Sequence, residues 1–321
     1  MSDFMTRAMF AYRNTFASKF IALLILALSV EVTHAATSAV KLSSVGSDTL
    51  GGVMTRLARV FNQQYPDVVM QVQANGSSTA PPALQEGTAS LGPMSRRMSP
   101  AEKLRFRQGY GYDVTEVVIG VDAVAVFVHW QNPLVQLSLK QVDAIFSATR
   151  RCGADQPIND WSELNAESFD KQKITTFGRN SASGTYSYFR QVALCGGDFD
   201  TSVGEQPGSS SVVQSVGSSV RGIGYSGVGY QSPLVKVLAI SKDEDSRAYM
   251  PEPVASLQGD YPLARPLYLY VNQAAALPLR GAERDFVDLV LSNQGQEVIK
   301  RSGFIPLPED VRAKIRVELG L

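Results

Sequence analysis

The sequence is poorest in the residues that most often do hydrolytic or metal chemistry. Its 321 residues include two histidines, His34 and His129, and two cysteines, Cys152 and Cys195. So few imidazoles and thiols, so far apart, cannot form the His-rich or Cys/His clusters that hold zinc. Neither a G-x-S-x-G nucleophile elbow nor a G-x-x-x-x-G-K-[ST] phosphate loop occurs. Net charge is also lacking, with 30 basic and 30 acidic residues. That balance argues against general adhesion to nucleic acid or to an anionic membrane. A single small anion remains a possible ligand, because a local site needs only a few donors. Internal repeats and low-complexity linkers are absent as well.

Long apolar runs are missing except near the start. Arg7, Arg13 and Lys19 precede an apolar stretch from Phe20 to Val30, followed by Thr33-His34-Ala35. The stretch is shorter than the ~20 residues of a membrane span, and it ends in a small-x-small cleavage pattern. Residues 1–35 therefore read as a signal peptide, with Ala36 as the mature N-terminus and a periplasmic or secreted product. In an oxidising compartment the Cys152/Cys195 pair is expected to be a disulfide. Closing so long a loop can add roughly 4 kcal/mol.

What is present is an ordinary globular composition, 44% hydrophobic and 19% charged, enough for one large domain or two lobes. Extended segments are expected near 40–45, 68–73, 89–94, 174–177 and 222–226. Helices are expected to start near Thr49, Asn75, Ser99, Ser138, Ser183 and Ser209, and to run over about 281–302 and 308–319. Val114–Val128 and Pro266–Val271 read as long strands buried on both faces. Alternating strands and helices give an α/β architecture with largely parallel sheets, and the two long strands can be crossings between interleaved lobes. His129, which follows the first of them, reads as a packed or capping residue rather than a catalyst.

Three segments share a design of strand, Gly- and hydroxyl-rich turn, and helix start. They are Gly46-Ser47-Asp48-Thr49-Leu50, Gly76-Ser77-Ser78-Thr79, and Gly178-Arg179-Asn180-Ser181-Ala182-Ser183-Gly184-Thr185. Helix N-termini expose unpaired N–H groups at the positive end of the helix dipole. Hydroxyls add neutral donors, and glycine lets the backbone approach an anion closely. Each segment alone reads first as a plain N-cap; three of them, one with Arg179, point to a shared oxyanion site. A guanidinium is always charged and presents a donor fork matched to a tetrahedral oxyanion.

On these residues the chain resembles the PstS-like phosphate-binding proteins of ATP-driven phosphate uptake, within the class II periplasmic-binding fold. Arg179-Asn180-Ser181-Ala182-Ser183-Gly184-Thr185 is similar to that family's R-x-x-x-S-G-T anion loop, and Gly46–Leu50 and Gly76-Ser77 are similar to two further loops. The resemblance implies two lobes, each a mixed, mostly parallel sheet flanked by helices, with two crossing strands as hinge. Residues 36–125 and 267–321 would form lobe one, and 126–266 lobe two. It implies inorganic phosphate as ligand, no cofactor, no catalysis, a monomer, and a membrane ABC permease as partner. Thr49, the Leu50 amide, Ser77, Arg179, Ser183, Gly184 and Thr185 would surround the anion.

One position departs from the family pattern. Where many members carry an aspartate that accepts the proton of hydrogen phosphate, this chain has Ser95. Asp48 is either the replacement acceptor or a cap carboxylate. Arg96 is either a second cation at the site or solvent-facing, as Arg97 is expected to be. Sulfate and arsenate therefore stay open as ligands, and a secreted phosphatase or an adhesion protein reusing the fold are the rival classes.

Overall fold

The computed structural model describes residues 40–164 and 172–321. The predicted leader, its cleavage site and Ala36 lie outside the described residues. The chain begins with β1 (Val40–Val45), α1 (Gly51–Gln64) and β2 (Val68–Gln73). A 3-10 turn at Ser77–Thr79 leads into α2 (Ala80–Gln85), β3 (Leu91–Met94), α3 (Pro100–Tyr110) and the long β4 (Val114–His129). Next come β5 (Gln136–Ser138), α4 (Leu139–Phe146), β6 (Thr175–Arg179), α5 (Gly184–Val192), β7 (Gly204–Gln206), α6 (Ser209–Gly217) and β8 (Gly222–Gly227). The chain closes with β9 (Val235–Val237), β10 (Ala239–Ser241), α7 (Pro253–Gln258), β11 (Ala264–Ala274), α8 (Gly281–Leu291), α9 (Asn293–Arg301) and α10 (Glu309–Leu319).

Local sequence explains these elements. In α1 the apolar Val53, Met54, Leu57, Ala58 and Phe61 fall on one face and are buried. Phe61 meets Phe286 of α8 edge-on, with ring centroids 5.4 Å apart. Burying each such large side chain contributes about 1.5–3 kcal/mol. Helix α3 starts with a reciprocal capping box: Glu102 N donates to Ser99 Oγ, and Ser99 N donates to Glu102 Oε2 at 2.7 Å. The expected single helix over 281–302 is instead two. Ser292 is extended (ψ 166°), and its Oγ accepts from Gly295 N at 3.1 Å, capping α9. Gly295 sits so close to the end of α8 that a Cβ there would lie 2.1 Å from Leu289 O, so the corner requires glycine.

Strand order is β2-β1-β3-β11-β4-β8-β6-β7, with β9 also on β4. The flanks are parallel: β1 with β2 and β3, and β6 with β7 and β8. The centre is antiparallel, where β4 pairs with β11 over Thr115–Ala123 and with β8 over Val124–Val128. Thus β4 alone runs through both halves of the sheet, and β11 joins it at the pair Ala264↔Ala123. Two large apolar clusters lie along it. One includes Leu42, Leu57, Phe61, Leu269 and Phe286; the other includes Phe146, Trp161, Phe189, Tyr225 and Leu238. Cys152 and Cys195 form the expected disulfide. His129 is buried, and its Nδ1 accepts from Gln131 N, a local turn bond. No helix among the described residues is long and apolar enough to cross a membrane.

Candidate functional site

Loops that follow the carboxyl ends of β1, β3 and β6 converge, as ligand loops do in open α/β sheets. The loop after β1 is pinned by Ser47 N donating to Pro93 O at 2.7 Å and by Gly76 N donating to Gly46 O at 2.8 Å. Its Thr49 opens the approach to α1, whose N-terminus has no side-chain cap and begins after the buried Leu50. Next to it, Ser95 N donates to Ser77 Oγ at 3.0 Å, and the two hydroxyls lie 3.3 Å apart. Both serines are fully buried.

The loop after β6 meets these donors face to face. Thr49 Oγ1 and Thr185 Oγ1 are 3.0 Å apart, and Ser78 N donates to Ala182 O at 3.1 Å. The approach depends on two glycines. A Cβ on Gly184 would lie 2.3 Å from Ser77 Oγ and 2.7 Å from Ser95 Oγ. Gly76 has φ 114°, and a Cβ there would lie 2.5 Å from Ala182 O. Ser183 caps α5, with its Oγ accepting from Thr185 N at 3.1 Å and Tyr186 N at 3.4 Å. Those bonds occupy its lone pairs, and its hydroxyl hydrogen is still a donor.

Arg179, the last residue of β6, is almost wholly buried. Its Nη2 pairs with Asp48 Oδ2 at 3.0 Å, and its Nη1 donates to Ser209 Oγ at 2.6 Å. Its Nε has no partner among the described residues. Burial pushes the guanidinium below its ordinary value, while Asp48 pulls it back up, so it stays a cation. Asp48 Oδ2 also accepts from Ser209 N at 2.9 Å and Ser209 Oγ at 3.0 Å. The carboxylate thereby caps α6, a helix from the far side of the sequence, at the positive end of its dipole. Burial pushes the Tyr230 phenol up, with Asp48 and Asp122 adding to it, so Tyr230 is a neutral donor. Its hydroxyl donates to Asp48 O at 3.2 Å and Thr49 O at 3.0 Å.

The two remaining arginines of the sequence expectation sit apart from this core. Arg96 is held by Glu102 at 2.7 and 2.8 Å, and it also donates to Arg97 O at 3.1 Å and to Ser78 Oγ at 3.3 Å. Arg97 is two-thirds exposed and pairs with Glu116 at 2.6 Å. A second buried pair was not foreseen. Arg265 Nη2 donates to Asp122 Oδ2 at 2.8 Å and to Thr185 Oγ1 at 2.7 Å. Its signal was in the sequence: Asp122 is the lone acid in the Val117–Val128 stretch, and Arg265 opens the second long apolar strand. A charge on a doubly buried strand needs a partner.

Comparison with known proteins fits this geometry. A family model described as a PBP superfamily domain matches residues 31–294. Phosphate-binding protein PstS of Pseudomonas aeruginosa is 53% identical over 281 residues, covering 87% of this chain and 87% of that protein. Phosphate-binding protein PstS of Staphylococcus saprophyticus is 26% identical, covering 82% of this chain and 79% of its own length. Among solved structures, a putative phosphate ABC transporter substrate-binding protein with bound phosphate from Clostridium perfringens superposes with TM-score 0.70. At 24% identity it covers 84% of this chain and 100% of its own, and it shares the fold. The chain belongs to the PBP superfamily and, within it, to the PstS-like phosphate-binding proteins.

Proposed function

We propose that this chain is an extracytoplasmic binding protein that holds inorganic phosphate between two lobes and delivers it to an ABC-type permease. The observation that carries the reading is the meeting of Thr49, Ser77, Ser95 and Thr185 from loops distant in sequence, with the buried Arg179 paired to Asp48 beside Thr49. Lobe one is residues 36–125 with 267–321, and lobe two is 126–266. Arg179 supplies charge-assisted bonds, the hydroxyls supply neutral ones, and Gly184 lets the α5 backbone approach. An anion touching both sides stabilises the closed arrangement over an open one, because only the closed form makes all the contacts. Closure is then the signal the permease reads. The protein acts as an exported monomer, without cofactor and without catalysis.

Calorimetric titration of the exported protein with phosphate and with sulfate tests this reading. Saturable 1:1 binding of phosphate, with sulfate much weaker, is expected. Equal binding of both would make the ligand a tetrahedral oxyanion in general, and binding of neither would remove the function.

A further inference from the structure

The turn that follows β8 reaches a part of the chain far away in sequence. Val228–Tyr230 forms a 3-10 turn, and the Tyr230 hydroxyl shares its hydrogen between Thr49 O at 3.0 Å and Asp48 O at 3.2 Å. Those carbonyls belong to the loop after β1. In the lobe division proposed above, Tyr230 lies in lobe two and both acceptors lie in lobe one. Because its partners are backbone carbonyls, the phenol grips the loop that carries Thr49 without being a donor to the anion.

Beside it, Gly229 rests on the turn that follows α9. A Cβ on Gly229 would lie 2.6 Å from Ser302 O, and one on Gly303 would lie 2.5 Å from Gly229 Cα. The two backbones therefore touch directly, and a β-carbon on either would push them apart. The α9 side of this contact is fixed to lobe one. Ile305 N donates to Val121 O and Val121 N donates to Ile305 O, both at 2.9 Å, and Arg56 Nη1 of α1 donates to Ser302 Oγ at 2.8 Å. Val121 lies just before Ala123 and Val124, where β4 passes from pairing with β11 to pairing with β8. The glycine contact thus sits next to the crossing between the lobes, with the Tyr230 hydroxyl one side-chain length away from it.

We propose that the Val228–Tyr230 turn is a latch on the closed form. The Gly229–Gly303 contact is the pivot on which the lobes roll, and the Tyr230 hydroxyl makes the bond that opening must break. The proposal rests on the phosphate reading above, and it concerns how fast the anion leaves rather than which anion is chosen. Release of a ligand held between lobes requires opening. A bond present only in the closed form therefore slows release and leaves the association rate nearly unchanged. A contact that no ligand touches acts on every bound anion alike, so it leaves selectivity as it was.

Stopped-flow measurement of phosphate association and release, with thermal melts of the same proteins, tests the latch. Tyr230→Phe keeps the ring and removes the bond. Phosphate should leave it about 3–10-fold faster, with the association rate and the preference over sulfate within about 2-fold of the parent. Gly229 has no positive φ, so a methyl group there strains no backbone and Gly229→Ala acts as a wedge at the pivot. Its release of phosphate should be about 10–100-fold faster. The compaction that phosphate causes, read as a fall in radius of gyration by small-angle scattering, should be smaller than in the parent. Release from Tyr230→Phe at the parent's rate overturns the latch, even where the melting temperature drops, since that combination marks a purely structural contact. A changed preference over sulfate in Tyr230→Phe also overturns it, by placing the phenol in the anion site. Gly229→Ala that releases phosphate at the parent's rate overturns the pivot. Should Gly229→Ala fail to melt cooperatively, the Tyr230→Phe release rate decides alone. Parent protein that binds no phosphate at all overturns the phosphate reading, and the latch falls with it.

Discussion

At the scale of single residues, the site is built from side chains whose environment leaves them one chemical role each. Gly184 has little tolerance for a side chain. A methyl group there would lie 2.3 Å from Ser77 Oγ and 2.7 Å from Ser95 Oγ, so closure and a β-carbon cannot coexist. Gly184→Ala should therefore weaken phosphate binding by about 10–100-fold while leaving the melting temperature of the ligand-free protein within a few degrees. Unchanged affinity, measured by calorimetry, would mean that this approach is not part of the bound form. Glu116 gives a prediction in pH. Burial pushes its carboxyl up, but hydrogen bonds from Arg97, Lys103 and Tyr270 outweigh that and hold it below the usual range. A depressed folded value contributes stability above the unfolded pKa of 4.5, and that contribution disappears as pH falls through the folded value. Glu116→Gln should cost about 1–3 kcal/mol at pH 7 and less below pH ~4. Equal destabilisation at both pH values in denaturant titrations would contradict the assignment. The sequence made the hydroxyls and Arg179 legible because they lie in one contiguous loop design. Asp122 and Arg265 were not, because each reads as a lone charge until the register of β4 and β11 makes them neighbours.

At the scale of elements, the long and strongly patterned segments were readable and the short ones were not. The capping box at Ser99, the amphipathic face of α1 and the two long apolar strands all lie within a few residues of their expected places. Strands β5, β7, β9 and β10 span three residues each, too few for an alternating pattern to register. The break between α8 and α9 was missed because Ser292 sits in an otherwise continuous helical period, and its capping bond to Gly295 shows only in three dimensions. A mixed, mostly parallel sheet was anticipated, but which strands run antiparallel was not, since strand direction follows from where the chain re-enters the sheet. The disulfide joins the segment that follows α4 to the segment that follows α5. Replacing Cys152 and Cys195 by Ser should lower stability by about 2–4 kcal/mol and leave phosphate affinity nearly unchanged. Lost binding in a protein still folded at the assay temperature would point to a functional thiol instead.

At the scale of the whole molecule, residues from distant parts of the chain meet on one small cluster. Asp48 caps α6 and pairs with Arg179, Thr49 touches Thr185, and Arg265 ties Thr185 to Asp122. A ligand held by such a cluster stabilises the molecule as a unit. At 100 times its Kd, phosphate should add about 2.7 kcal/mol and raise Tm by roughly 5 °C, and sulfate should add much less. Arg179 is the buried cation that pairs with Asp48 in this cluster, and its role is the most direct point of attack. Calorimetric titration of Arg179→Ala with phosphate should show binding weakened by roughly 2–5 kcal/mol, the range for removing one partner of a buried charge pair. Arg179→Lys should recover only part of that, because an ammonium lacks the planar fork. Arg97→Ala, which removes an equal charge from an exposed pair with Glu116, should bind like the parent. Phosphate affinity that survives Arg179→Ala intact, or that falls as far in Arg97→Ala, would contradict the account.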